Sequence, residues 1–100
     1  KKQEYFVCLT LDGANRLIAK RIITIGTLTA SLVHPREVFA EAITDRAASI
    51  VVAHNHPSGS IEPSQADTQI TERLKIAGEL LGISLVDHIV VTSRGSASIV

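Results

Sequence analysis

The feature that most constrains this chain is the run Ser49-Ile50-Val51-Val52-Ala53, followed at once by His54-Asn55-His56-Pro57. Apolar residues without polar alternation read as a strand covered on both faces, and so as a central strand of a sheet. Side chains alternate along a strand, so His54 and His56 leave it on one face while Asn55 points the opposite way. Pro57 restricts the backbone of His56 and keeps the ladder from continuing. A Pro/Gly/Ser loop leads to Ser64, which opens a helix carrying Asp67 in its first turn.

The rest of the chain supplies neighbours for that strand. Glu4 to Leu11 is rich in strand formers, and Asp12-Gly13-Ala14-Asn15 has turn chemistry. Arg16 to Ile25 is expected as a second strand alternating around Leu17, Ala19, Arg21 and Ile23, closing an antiparallel hairpin. Thr27 to His34 is a connection without a clear pattern. Pro35 suits a first helical turn, and Val38, Phe39, Ala42 and Ile43 then share one face. From Ser64 the positions Ile70, Leu74, Ala77 and Leu81 recur on one helix face, with Gly82 as a left-handed cap. Ile83 to Thr92 and Ser96 to Val100 complete the strands. The expected fold is α/β, a mixed β-sheet flanked by helices in the order β-β-α-β-α-β-β, forming a single domain over 1–100.

Composition narrows the function. Ten basic and ten acidic residues balance, which is not the basic footprint of a nucleic-acid-binding domain. Arg16, Lys20, Arg21 and the pair Lys1-Lys2 make at most a small local patch. The single cysteine, Cys8, excludes an intrachain disulfide and a cysteine zinc cage, and its apolar strand setting reads as a buried core thiol. No signal peptide or membrane-length apolar stretch is present, so a reducing cytoplasm is the expected compartment. The chain does not begin with methionine and is expected to be a piece of a longer one.

His54, His56 and Asp67 together have the make-up of an open metal site. Two imidazoles and a carboxylate are the usual complement of a catalytic zinc, Zn2+, whose fourth position is left to water. Asp67 stands where the helix dipole favours its anionic form. Ser64 reads first as the N-cap of the helix, and its hydroxyl is also placed to donate to the oxyanion of a tetrahedral intermediate. Asp87 and His88 alternate on a strand, so at most one faces the site. His88 is expected as a satisfied core histidine, with a hydrogen bond to a metal-bound imidazole as the other reading. His34, just before Pro35, is expected to do no chemistry.

His54-Asn55-His56-Pro57-Ser58-Gly59 and Pro63-Ser64-Gln65-Ala66-Asp67 resemble the JAMM signature of the JAB/MPN metalloprotease superfamily, and most closely its RadC-like branch. The resemblance extends to Thr27 through Phe39 and to Leu80-Leu81-Gly82-Ile83 with Asp87-His88. It implies a cytidine-deaminase-like α/β fold, zinc on His54, His56 and Asp67, and hydrolysis of peptide or isopeptide bonds in a protein substrate. It also implies an upstream glutamate as general base. Glu4 matches by position, although fraying is the ordinary expectation so near a chain start; Glu37 is the fallback.

Rival readings fail on spacing or remain as alternatives. Zinc deaminases need His-x-Glu and Pro-Cys-x-x-Cys, and neither is here. An HNH nuclease would not place its residues in three consecutive positions, with Asn55 on the wrong face. The alternative from another class is a DNA-repair-associated or scaffold module with a non-catalytic metal site. In that case nucleic acid would be met through regions outside this chain. The sequence specifies neither substrate nor oligomeric state.

Overall fold

The computed structural model describes residues 3–26 and 33–100 of the chain. Within them the expected order holds: β1 (Glu4–Leu11), β2 (Leu17–Gly26), α1 (Pro35–Thr44), β3 (Ser49–Asn55), α2 (Gln65–Leu81), β4 (Ser84–Thr92) and β5 (Gly95–Ser98). These strands form one mixed sheet in the order β2-β1-β3-β4-β5, with β3 at its centre. β1 is antiparallel to β2 and to β3, β3 and β4 are parallel, and β5 returns antiparallel on β4. The parallel pair is joined through α2, because two parallel neighbours need a long crossover. Lys1, Lys2 and the connection at 27–32 lie outside the described residues.

Alternation decides which face is covered. Phe6, Cys8 and Thr10 of β1 and Ile50, Val52 and His54 of β3 are buried on one face. Val38, Phe39 and Ala42 of α1 join Ile70 and Leu74 of α2 in the same apolar cluster as Phe6, Cys8, Ile50 and Val52. Both helices therefore lie on one side of the sheet. Each large side chain so buried contributes about 1.5–3 kcal/mol, which fixes the register of β3 between its neighbours. On the opposite face Val7, Leu9, Val51 and Ala53 are half-buried, while Tyr5, Ile22, Ile25 and Val91 are exposed.

Several boundaries differ from expectation for local reasons. β3 runs on through His54 and Asn55, because the β4 backbone continues alongside it as far as Val91. The simple alternation expected of β2 is broken by irregularities in its pairing with β1, opposite Phe6/Val7 and Thr10/Leu11. Leu17 is thus turned out to solvent, 60% exposed, while Arg21 pairs across from the buried Cys8. Ile43 and Leu81 share a helical stripe with buried residues but sit at its margin and are exposed. β4 begins one residue later than expected, with Ile83 still buried, and β5 covers Gly95–Ser98 rather than Ser96 to Val100. Two members of the basic patch are paired: Arg16 faces Asp12, and Arg21 is engaged by Asp45 and Glu41.

Candidate metal centre

β3 carries His54 on its buried face at the end of the strand, and His56 follows where the chain leaves the sheet. The backbone of His56 remains tied to the sheet edge, its N–H donating to the Val91 carbonyl at 3.0 Å. The loop then turns tightly, with the Gly59 N–H returning to the His56 carbonyl at 3.0 Å. Gly59 has φ +88, a conformation that side chains disfavour. This turn brings the Ser60 carbonyl to 3.0 Å from His56 Nδ1. A carbonyl only accepts, so Nδ1 carries the hydrogen and Nε2 of the neutral ring presents its lone pair.

α2 begins with the N-cap expected of Ser64, which Asp67 completes into a capping box. Ser64 Oγ accepts the Asp67 N–H at 3.1 Å, and Asp67 Oδ2 accepts the Ser64 N–H at 2.8 Å. The reciprocal bonds hold the Asp67 carboxylate, 2% exposed, at the mouth of the sheet. Burial alone would raise its pKa. The Ser64 N–H and hydroxyl, with His54 and His56, outweigh that and keep it below the usual carboxylate range.

Strand end and helix start meet. His54 Nε2 lies 3.0 Å from Asp67 Oδ1, and His56 Nε2 lies 3.0 Å from Asp67 Oδ2. The two Nε2 atoms are 2.9 Å apart, and all three residues offer ligand atoms within 4.8 Å of one another. Burial lowers the His54 pKa, with His56 adding to the effect, so the neutral, ligating form is favoured. One proton cannot satisfy three electron-pair donors that face a common point. A cation can. Around zinc, bonds of about 2.0–2.1 Å place tetrahedral ligand atoms roughly 3.3–3.4 Å apart, a small outward adjustment from these distances. The donor set fits a metal ion. The exposed side of the triad is that of His56, whose side chain is 15% exposed against 4% for His54 and 2% for Asp67. His56 also lines a small cleft with Asn55, Pro57, Val91, Thr92 and Ser93, which includes neither His54 nor Asp67.

His88, read from sequence chiefly as a satisfied core residue, is that and more. It is fully buried, with Nε2 at 2.9 Å from His54 Nδ1 and Nδ1 at 2.6 Å from Thr71 Oγ1. Its pKa is pushed down to about 4 by burial and then by His54. The Phe6 ring stacks on His54 at 5.8 Å and meets His88 edge-on at 5.6 Å. Thr71 carried no signal in the sequence beyond its helical position, one turn after Asp67.

Glu4 opens β1, paired with Gly26, two residues before Phe6 and on the same face as it. Among the described residues it makes no hydrogen bond to the triad, but its backbone is not loose. Asn55 Oδ1 accepts the Tyr5 N–H at 2.6 Å, and Asn55 Nδ2 donates to the Gln3 carbonyl at 2.8 Å. The residue between the two histidines thus brackets Glu4 from the far face of β3, a role the sequence pattern did not suggest. Glu37, the fallback base, is exposed in the first turn of α1 beside Ile22, Ile23 and Glu41. His34 caps that helix, its Nδ1 accepting the Arg36 N–H at 3.2 Å.

Comparison with known proteins gives the family. A family model described as the RadC-like JAB domain matches residues 1–100. A UPF0758 protein of Methanospirillum hungatei is 59% identical over 92 residues, covering 92% of this chain and 41% of that protein. UPF0758 proteins of Finegoldia magna and Bacillus licheniformis are 53% and 50% identical, over 95% and 97% of this chain and 43% of each relative. The chain thus spans about two fifths of the length of these curated relatives. Among the described residues no helix is long and apolar enough to cross a membrane.

Proposed function

This chain belongs to the RadC-like JAB domain family, and we propose that it is a zinc-dependent hydrolase of amide or isopeptide bonds in a peptide or protein substrate. The observation that carries the reading is the mutual approach of His54 Nε2, His56 Nε2 and the two Asp67 carboxylate oxygens, 2.9–3.0 Å from one another across residues. These three residues would hold the ion. Zinc held there would supply a Lewis acid able to make water deprotonate near neutral pH.

The chain's own groups divide the remaining work. Glu4 is the general base: it accepts a proton from the attacking water and returns it to the leaving amine. Its placement rests on the pairing of β1 with β3 and on the Asn55 bracket. Ser64, fixed by the capping box beside Asp67, turns its hydroxyl hydrogen towards the oxyanion of the tetrahedral intermediate. His54 and Asp67 sit deep while His56 is the more exposed of the three, so substrate approaches from the His56 side.

The test combines metal analysis with turnover of fluorogenic peptides and lysine-linked isopeptides. About one zinc per chain is expected in the wild type and none in Asp67→Ala, with circular dichroism confirming that the variant remains folded. Glu4→Gln should keep the metal and lose hydrolysis at least roughly 100-fold. Retained zinc in Asp67→Ala would remove that residue from the ligand set, and normal turnover in Glu4→Gln would place the base elsewhere. A second reading, a scaffold or DNA-repair-associated module with an idle metal site, draws on the absence of a described contact between Glu4 and the triad. It predicts a folded, zinc-loaded chain that hydrolyses none of these substrates.

A further inference from the structure

Behind the metal triad lies a chain of buried polar groups that the hydrolase reading does not use. It runs from His54 Nδ1 to His88 Nε2 at 2.9 Å, from His88 Nδ1 to Thr71 Oγ1 at 2.6 Å, and from Thr71 Oγ1 to the Asp67 main-chain carbonyl at 2.8 Å. His54, His88, Thr71 and Asp67 are each at most 5% exposed, so water is not an alternative partner. The path starts on one member of the triad and ends on the backbone of another. It crosses from β3 to β4 to α2, the three elements that meet at the site.

We propose that His88 and Thr71 are positioning residues for the metal centre, forming a directional relay that fixes which nitrogen of His54 faces the ion. The proposal rests on the metal reading of the triad. If Nε2 of His54 ligates, its hydrogen must sit on Nδ1 and be donated to His88 Nε2. His88 then carries its own hydrogen on Nδ1 and donates it to Thr71 Oγ1. The Thr71 hydroxyl hydrogen passes to the Asp67 carbonyl, which can only accept. Every donor has an acceptor, and no step has a second solution once the first is set.

The choice of residue types has a chemical consequence. A carboxylate behind a ligating histidine can only accept, and it makes the ring more basic. A neutral imidazole backed by a hydroxyl can run the chain in either direction. Without the ion, His54 can hold its hydrogen on Nε2 and donate to Asp67 Oδ1, 3.0 Å away. His88 then donates from Nε2 to His54 Nδ1, and Thr71 donates to His88 Nδ1. Both imidazoles stay neutral in both directions. The two directions differ only in which nitrogen of each ring carries its single hydrogen, Nε2 in one and Nδ1 in the other, with the Thr71 hydroxyl hydrogen turned to match. The net proton count of the pair is unchanged.

The experiment is long-range 15N–1H NMR of the imidazoles with and without zinc, alongside zinc affinity by chelator competition. In the zinc-loaded wild type, His54 and His88 should both read as the Nδ1–H tautomer. Thr71→Val keeps the shape but removes the hydroxyl, and should weaken zinc binding roughly 10- to 100-fold. Thr71→Ser should restore affinity to near the wild-type value, which a packing role alone would not. A loaded protein with His88 as the Nε2–H tautomer would overturn the relay, as would folded Thr71→Val with wild-type affinity. Either result leaves the hydrolase reading intact. Conversely, a Thr71→Val defect in a protein that cleaves no substrate would support the relay while sinking the hydrolase. A wild type that binds no zinc would end both.

Discussion

Asp45 closes α1 as its C-cap, where a carboxylate meets the negative end of the helix dipole. It is tolerated because Arg21 engages both its oxygens and the Thr10 hydroxyl donates to Oδ2 at 2.8 Å. The Arg21 hydrogen bond, then that of Thr10, lowers the Asp45 pKa despite desolvation. A carboxyl lowered on folding stabilises the native state above its unfolded pKa of about 3.9, and that contribution is lost as pH falls through the folded value. Asp45→Asn should therefore be less stable than the wild type near neutral pH. The gap in urea midpoints should close as the acid limb below about pH 4 is entered; a pH-independent gap would mean that the charge is not the stabilising feature. Cys8 behaves in the opposite sense. Burial, then Asp45 and Glu41, pushes its thiol up to about 12, so iodoacetamide at about pH 8 should leave the native protein unmodified and label it fully in denaturant. Rapid labelling of the native protein would contradict a sealed core around β1.

The α2–β4 junction shows how a helix is made to fit its neighbours. Gly78 is buried in α2, and a Cβ there would meet the Ile83 carbonyl oxygen at 2.3 Å and the Phe39 ring at 3.4 Å. The chain comes that close because Gly82 adopts φ 74 and Ile83 N–H turns back to the Gly78 carbonyl at 2.9 Å. Alanine is a better helix former than glycine by about 1 kcal/mol, yet a backbone clash cannot be relieved by a rotamer change. Gly78→Ala should be destabilised by about 1–3 kcal/mol in urea unfolding; a stabilised variant would show that the junction can open. Much at this level was legible in sequence. The two-faced apolar run placed β3 at the centre of the sheet, and the Ser64/Asp67 spacing located the start of α2. The irregularities of β2 were not legible, since they arise from its pairing with β1 rather than from any residue of its own. His88 was only half legible: periodicity put it on one face, but the parallel register, Val52 opposite His88, decides that this is the face of His54.

For the whole molecule, metal and fold should be thermodynamically linked. His54 comes from the central strand, His56 from just past its end and Asp67 from a helix packed on the sheet, so an ion that binds all three binds only the folded chain. Free zinc at about 1,000 times its Kd would then add about 4 kcal/mol to stability. The melting temperature should rise with zinc, return with a chelator, and fail to respond in Asp67→Ala. Equal responses in the two proteins would locate the ion somewhere else. The agreement of the sequence reading with the family match over residues 1–100 has the same origin, because the ligand spacing carries meaning only on this strand–loop–helix frame. What sequence could not give is the side of the sheet each helix takes. Both cover the face that bears His54, which is why Phe6, Thr71 and His88 could gather behind it.

Asn55 gives that arrangement one further consequence. The three side chains that could hold an ion fall within residues 54–67, whereas Glu4, the base of the proposed function, lies about fifty residues earlier in the chain. The carboxamide between the histidines joins the two, gripping backbone on either side of Glu4. On the proposed function, ion capture and proton handling are consequently separable by a single replacement at this position. If the proposed function holds, a descendant that lost only this amide would keep its three ligands and its shape but loosen its hold on Glu4, and so drift from hydrolase to inert metal-binding protein.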